Sequence, residues 1–380
     1  MIRILTRYLA REVTLATLLV LATLIMLFGF FDFIHELSDL GKGNYRMVNA
    51  VLYVVLSASG NVYDLFPVAA LIGTLFALSR LAAHSELTVM RVSGLSLGAI
   101  ARALMVIGLG FVAVTLLFGE LITPIAGRYA QEMKIRATES LIGQEFRSGV
   151  WVKDEGSFIN VKEVHLNGKE ARLVNVKIYE FDTANRLKTI SLAERGSYLG
   201  NSRWRLEQVQ QTVFSETGTT LNRLPEWIWK SVLKPDILSV LLVNPDQMSA
   251  VNLYTYIQHL RDNAQRSTRY EIAIWTKLVY PAAVLVMMLL AMPFSVSQPR
   301  GGSVGTRLFI GILLGLGFNL INRLFSSIGE LNGVSPFLSA WLPTLIFLAV
   351  ALLMLMWSER RTSAASFNFS GYRRLTGKDA

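Results

Sequence analysis

Six stretches of the chain are almost wholly apolar over the length needed to cross a bilayer. A spanning helix takes about 20 apolar residues at roughly 1.5 Å each. The runs are about Val13 to Ile34, Val62 to Leu81, Leu97 to Leu121, Ile272 to Val296, Leu308 to Phe325 and Pro336 to Trp357. An amphipathic run, Met47 to Leu56, precedes the second, and Ser57, Ser59, Gly60 and Asn61 separate the two, which predicts an interfacial helix leading into the span. Arg3, Arg7 and Arg11 open the chain as in a signal peptide. The apolar run behind them is longer than a signal core and no small-residue cleavage site follows, so it is expected to stay as an uncleaved anchor.

Between the third and fourth runs the pattern changes from continuous to alternating. The segment from about Thr123 to Tyr270 carries 20 basic and 16 acidic residues and several runs with the period of strands. These are Gly149 to Lys153, Ser157 to Val164, Arg172 to Phe181 and Trp204 to Phe214, with Asp154-Glu-Gly156, Asn167-Gly168 and Asp182-Thr-Ala-Asn185 reading as turns. Short strands at regular spacing predict a sandwich or jelly roll from Glu145 to about Pro245. An amphipathic connector, Val251 to Arg269, leads back to the membrane.

The fold expected is therefore an α-helical membrane protein with six transmembrane helices, three plus three, and an inserted all-β jelly-roll-like periplasmic domain. Residues 1–122 hold the first three spans, 123–270 the inserted domain (sheet about 145–245 plus helical connectors), 271–358 the last three spans and 359–380 a cytoplasmic tail.

Composition agrees with a membrane protein: 52% of the 380 residues are apolar, 17% are charged and the mean hydropathy is +0.42. Lys plus Arg minus Asp plus Glu is 37 − 27 = +10. The location of that charge disfavours a nucleic-acid partner. With the N-terminus inside, twelve basic residues (Arg3, Arg7, Arg11, Arg80, Arg91, Arg300, Arg307, Arg360, Arg361, Arg373, Arg374 and Lys378) fall on the inner side, and only Lys42 and Arg46 in the short outer loops. Basic residues are retained on the cytoplasmic side, so both termini are placed there and the inserted domain in the periplasm.

Several chemistries find no support. The absence of cysteine excludes disulfides and thiolate sites, and His35, His84, His165 and His259 have no metal-ligand spacing. Gly41-Lys42-Gly43 and Gly168-Lys169-Glu170 both fail the phosphate-loop pattern, and neither a zinc-protease helix nor a nucleophile elbow occurs. No catalytic residue, metal or cofactor is therefore assigned to this chain.

Two features could carry function. The first is the loop Ser79 to Leu95 between spans two and three, where Ser85 can cap a short helix, about 85–94, with Glu86 in its first turn and Gly94 at its end. Such a helix is a natural peg for a cytoplasmic partner, although Glu86 and Arg91 could equally serve only to keep the loop solvated. The second is the charge and aromatic pattern near the outer ends of the spans. Asp32, Asp64, Glu120, Arg323 and Glu330 lie there, and snorkelling accounts for such charges in the simplest case. Arg323 with Arg128, Lys134 and Arg136 could instead form a basic rim for an anionic headgroup. Phe28, Phe30, Phe31 and Phe33 crowd the outer half of span one, while Leu314, Phe318, Ile321 and Phe325 recur at helical spacing on span five. Either helix packing or an acyl-chain cavity would produce these stripes.

The order of elements and several local runs resemble the LptF/LptG permease family, the membrane pair of the lipopolysaccharide exporter of bacteria with two membranes. The runs are Phe66-Pro-Val-Ala-Ala-Leu71, Ser85-Glu-Leu-Thr-Val-Met-Arg-Val-Ser-Gly94, Gly149-Val-Trp-Val-Lys-Asp154 and Trp275-Thr-Lys-Leu-Val-Tyr-Pro281, and the likeness extends from about Leu5 to Trp357. Gly149 to Asp154 and Asn244-Pro-Asp-Gln-Met248 are closer to the LptG branch than to the LptF branch. The resemblance implies a half-transporter paired with LptF above two copies of the LptB ATPase, with LptC as a further partner and lipopolysaccharide as cargo. ATP and Mg are then used by the partner ATPase. In that family the first and fifth spans of both subunits line an outward-opening cavity, which implies lipid contacts at Phe28, Phe31, Leu314, Phe318, Ile321 and Phe325. The helix between spans two and three enters a groove on the ATPase, and the family's acidic residue there falls on Glu86, with Leu87, Met90 and Arg91 beside it. Family members can carry lysines along the outer end of span one. This chain has Asp32, Ser38 and Asp39 there, so headgroup contacts are expected at Lys42, Arg46, Lys134, Arg136 and Arg323 instead, with divalent cations able to bridge acids to phosphates. The reading from a different class is a non-transporting envelope scaffold whose β domain recruits other proteins, and a lipid-modifying enzyme is a third.

Overall fold

The computed structural model describes residues 2–94, 96–138, 150–154, 157–167, 170–182, 186–215, 218–231, 245–262, 265–296 and 304–375. Its helices are α1 (Ile2–Leu37), α2 (Met47–Ala83), α3 (Glu86–Val92), α4 (Leu97–Leu117), α5 (Thr123–Thr138), α6 (Ala250–Asp262), α7 (Thr268–Val296), α8 (Val304–Asn332) and α9 (Pro336–Leu375). Six helical rods among the described residues are long and apolar enough to cross a membrane. They fall three before and three after a six-stranded antiparallel sheet. The chain forms two compact units, one of residues 1–31, 58–123 and 271–380, the other of residues 32–57 and 124–270.

In the first unit α2 is the pillar. Of its most apolar window, 83% is buried, against 17% for α1 and for α8. In lipid, apolar side chains gain little from meeting each other, so close approach at small residues decides which helices pack. A Cβ on Gly73 of α2 would lie 2.5 Å from the Thr17 Cα of α1, so these two backbones touch. On α8, Gly311 and Gly315 are one turn apart and meet Leu75 and Val68 of α2 at 3.0 and 2.5 Å by the same measure. Helices α1 and α8 thus each pack on α2 and leave an apolar face uncovered within this chain.

Two expectations about the rods need correction. The interfacial helix Met47 to Leu56 is not separate, because α2 runs unbroken from Met47 to Ala83. Ser57, Ser59, Gly60 and Asn61 are small or polar, but none removes a backbone donor, so the helix passes through them. Likewise the helix of the third span continues past Leu121. A π-helical turn, Phe118–Ile122, joins α4 to α5. Pro124 has no N–H to give the Glu120 carbonyl, and its ring crowds that oxygen. The wider turn, in which Thr123 N–H donates to the Phe118 carbonyl, carries the rod past it. The connector expected from Val251 to Arg269 also divides, with α6 ending at Asp262 and α7 starting at Thr268.

The second unit contains the strands β1 (Val150–Asp154), β2 (Ser157–Asn167), β3 (Glu170–Phe181), β4 (Leu187–Gly200), β5 (Arg203–Ser215) and β6 (Gly218–Lys230), paired in chain order β1-β2-β3-β4-β5-β6. The inserted all-β domain is present. Its described strands form a meander without the crossing connections of a full jelly roll, and it acquires an enclosed interior by coiling. One face buries Ile159, Val161, Leu173, Ile178, Trp204 and Leu206 in a single cluster. At the ends of the sheet order, Ser231 just after β6 donates its hydroxyl to Asp154 at the end of β1, and both are buried. Inward positions shift by one between Leu173 and Val176 and between Leu206 and Val209, around Asn175 and Gln208, whose φ of 54° is unusual for non-glycine residues. These irregularities bend the strands and help one sheet cover its own core. Strands β4 and β6 lay outside the predicted runs. β6 contains Pro225, which an edge strand tolerates because the ladder bond proline cannot donate is not needed at the edge. The turns expected at Glu155-Gly156, Gly168 and Thr183 to Asn185, together with Gly149 and Asn244, lie outside the described residues.

Candidate functional site

The peg helix α3 is a seven-residue helix of about two turns between α2 and α4. Ser85 occupies its N-cap position, as expected, but with φ of 61° and without a side-chain cap bond, so the expected capping hydroxyl is not used. Gly94 sits just beyond its end with φ of +98°, and its N–H closes onto the Arg91 carbonyl. Left-handed residues therefore flank α3 on both sides and turn the chain sharply into and out of it. Leu87 is buried against Leu9, Leu78 and Leu81 in the core of the first unit. Met90, Arg91 and Glu86 are half-buried. Val89 and Val92 point outward, 63% and 84% exposed, and were not among the expected contacts. The sequence signal for them is an apolar excess: Leu87, Val89, Met90 and Val92 are too many for one inward stripe on so short a helix.

Glu86 is held from the side. The Tyr8 hydroxyl of α1 donates to its Oε2 at 2.8 Å. One turn along α1, Glu12 pairs with Arg80 at the end of α2 at 3.5 Å.

The apolar stripes divide. Phe28 and Phe31 of α1 are 40% and 58% exposed and join Met26, Phe30 and Ile34 on an uncovered face. On α8 the expected stripe faces the other way. Phe318 is 1% exposed, with its ring 5.2 Å from Phe347 and 6.2 Å from Tyr280, and Leu314 and Ile321 pack on the same cluster. Phe325 is half-buried. This stripe is chiefly a packing stripe, because Gly311 and Gly315 on the adjoining surface bring α8 close to α2. The uncovered face of α8 is Phe309, Leu313, Leu316, Leu320 and Leu324.

The expected basic rim also divides. Lys134 of α5 is clasped between Glu36 Oε1 and Asp39 Oδ2, both at 2.8 Å, and its ammonium lies over the Tyr53 ring at 4.8 Å. Tyr45 donates its hydroxyl to the other oxygen of Glu36 at 2.8 Å. Lys42 pairs with Asp39 at 2.5 Å. The Asp39 carboxyl is held below its ordinary range, first by the hydrogen bond from Lys134 and then by that from Lys42. Burial, and then the hydrogen bond to Glu36, push the Tyr45 phenol far up. Of the residues expected at the outer end of span one, Asp39 thus has a job, which is to neutralise Lys134, together with Glu36, and Lys42. Arg136 makes a loose, exposed contact with Glu132 at 3.8 Å. Arg46 and Arg323 are exposed and make no ion pair among the described residues.

Two further polar arrangements were missed in the sequence. Lys277 of α7, 5% exposed at its side chain, pairs with Glu120 of the π-helical turn at 3.6 Å. Both lie in spanning rods, and neither residue could be paired with the other by spacing alone. In the second unit, His259 of α6 is buried and held below its ordinary pKa by that burial, an effect partly offset by the charge of Asp154. No group of three potential metal ligands occurs among the described residues.

The sequence profile of the family described as "Lipopolysaccharide export system permease LptF/LptG" matches residues 7–357. The chain is 32% identical to the lipopolysaccharide export system permease protein LptG of Haemophilus influenzae over 359 residues, 94% of this chain and 98% of that one. It is 30% identical to LptG of Escherichia coli K12 over 355 residues, 93% and 98% of the two chains. It is 24% identical to LptF of the same strain over 391 residues, 97% and 99%. With six spanning-length rods split three and three about an inserted sheet, and a match from the first rod to the end of the last, this chain belongs to the LptF/LptG family of lipopolysaccharide export permeases.

Proposed function

We propose that this chain is the LptG-type subunit of a lipopolysaccharide exporter. It pairs with LptF above two copies of the LptB ATPase, takes lipopolysaccharide from the outer leaflet of the inner membrane and passes it to a periplasmic bridge beginning at LptC. The observation that carries this reading is the near-full-length likeness to LptG at 30–32% identity, against 24% for LptF. ATP, with Mg, is consumed by the partner, and this chain does mechanical rather than covalent work. Both termini lie in the cytoplasm and the β domain in the periplasm, an orientation supported by the basic asymmetry of the short loops.

The site residues then have roles matched to their surroundings. The α3 peg enters a groove on the ATPase with Val89 and Val92 as apolar anchors and Glu86 as the charged contact, while Leu87 roots it in this chain. Met90 and Arg91 lie at the margin of that contact. Phe28 and Phe31, with the Leu313, Leu316 and Leu320 face of α8, meet acyl chains or the companion subunit. Arg46 and Arg323 are the cations available to a phosphate, since an exposed basic residue at an anionic surface contributes about 1 kcal/mol. Arg136 is a weaker candidate, and Lys42 and Lys134 would first have to leave their carboxylates.

The test is ATP-dependent release of lipopolysaccharide from the purified complex in vesicles to a soluble acceptor. Release supports the reading, capture without release favours the scaffold, and a changed lipid mass would indicate an enzyme. Orientation is checked separately with single cysteines. One at Asn201 should react with an impermeant thiol reagent from the periplasm, and one at Ser96 should not.

A further inference from the structure

Tyr8 and Glu12 are one turn apart on α1 and face the same short stretch of chain, Arg80 to Glu86. Between them Leu9, 1% exposed, packs in the same cluster as Leu87, so polar and apolar contacts fix the foot of α1 against α3. Left-handed residues at Ser85 and Gly94 turn the chain into and out of α3. A displacement of α3 would thus be felt through the apolar cluster by α1, α2 and α4 alike, but α1 adds a hydrogen bond to the peg's own acid, from Tyr8 to Glu86. Glu86 has two carboxylate oxygens. Oε2 accepts from Tyr8, and Oε1 has no hydrogen-bond donor among the described residues. One side chain can therefore hold α1 with one oxygen and an outside donor with the other.

We propose that Tyr8 is a positioning residue for Glu86, tying the foot of the first spanning helix to the peg so that movement of the peg is delivered to α1 directly. This rests on the reading that α3 docks on the partner ATPase. Helix α1 is continuous from Ile2 to Leu37 and carries the uncovered Phe28 and Phe31 on the same rod. A push at Tyr8 is thereby a push on the face offered to lipid. The phenol does this better than an aliphatic residue could, because its ring spans from α1 to α3 while its hydroxyl fixes the carboxylate rotamer.

The experiment uses the whole complex carrying Tyr8→Phe, which keeps the ring and removes only the donor. Three quantities are read on one preparation: ATPase retained on the complex, ATP hydrolysed, and lipopolysaccharide released per ATP. The expected result is normal retention and hydrolysis with release per ATP reduced at least about three-fold. Charge reversal of the neighbouring pair, Glu12→Arg with Arg80→Glu, should leave the ratio within about two-fold of the parent, because an ion pair is rebuilt. Release per ATP at the parental value in Tyr8→Phe overturns the proposal. Loss of the ATPase from the Tyr8→Phe complex overturns it too, since Tyr8 would then serve docking rather than transmission. Failure of the parent complex to release lipid under ATP would be failure of the transport reading itself, and is seen before any variant is made.

Discussion

Helix α1 has a carboxylate-centred junction near each end, and the two are built to opposite specifications. Near Leu37, Glu36 is 3% exposed and its two oxygens are taken by Lys134 and Tyr45, with Asp39 sharing the lysine. Near Tyr8, Glu86 is half-buried, accepts one hydrogen bond and has no ion pair among the described residues. A buried carboxylate must have its partners supplied internally, since water cannot satisfy it, and such a junction resists rearrangement. A half-buried carboxylate with one partner and one oxygen still reached by water can add or exchange another at small cost. The first junction holds the loop after α1 to α5. The second is free to accept something that comes and goes.

The comparison is broken most severely at the buried end. Glu36→Ala leaves the Lys134 charge with only Asp39 and strands the Tyr45 hydroxyl, and removing one member of a buried pair costs about 3 kcal/mol. Thermal unfolding in detergent should show that loss. An unchanged midpoint would mean that Asp39 suffices and that the two junctions are alike. Next in size is Glu86→Ala, for which ATP-driven lipid release should fall at least about ten-fold, near 1.4 kcal/mol, while stability changes by less than about 0.5 kcal/mol as for an ordinary surface position. A large fall in stability there would make Glu86 a structural residue.

Acid should separate the second unit's two titrating groups. The His259 pKa is lowered on folding by burial, so the stability it contributes is present above the unfolded value of about 6.5 and is lost as pH falls below it. The Asp39 pKa is also lowered, so its contribution is present above about pH 4 and is lost only as pH falls further, through the depressed value. Unfolding midpoints followed from pH 8 to pH 3 should fall in two stages, each worth about 1 kcal/mol or less because neither group is wholly shielded from water. His259→Gln should remove the upper stage and Asp39→Asn the lower; one stage surviving both changes would point to other carboxylates. The smallest effect is expected from Lys42→Ala. Its side chain is 62% exposed, so its pair with Asp39 should contribute less than about 1 kcal/mol to the same midpoint.

What could be read from the sequence followed the range of the physics involved. The six rods and most strands were legible because each depends on periodicity or on a run within about 20 residues. Even there, Pro124 concealed that the third rod continues, and Pro225 concealed β6, because a proline is usually a break and here is accommodated by a π-helical turn and by a sheet edge. The peg was legible through Glu86 and Gly94. Its capping was not, since Ser85 occupies a left-handed conformation that only the path of the chain imposes. The span-five stripe could not be divided between packing and lipid contact in the sequence, because a helical period identifies an apolar face without saying what covers it. Gly311 and Gly315 were the better guide, as small residues mark where a neighbouring backbone comes close. Asp39 was misleading while considered beside the lysines of relatives, and became intelligible once Lys134 was found between it and Glu36, 98 positions from that lysine. No spacing rule reaches that far.

The meander of the sheet has a consequence for how the domain is made. Every strand bonds to the one before it, so each hairpin can close as soon as its second strand has been synthesised, with short loops and little entropy lost on closure. The sheet can therefore grow by addition at one edge while the rest of the chain is still on the ribosome. Besides its ladder with β5, the last strand completes the bond between Asp154 and Ser231, 77 residues apart, which links the two ends of the sheet. In this order the sheet offers an open edge until its last strand is made, and the Asp154 and Ser231 contact joins its first strand to the end of its last.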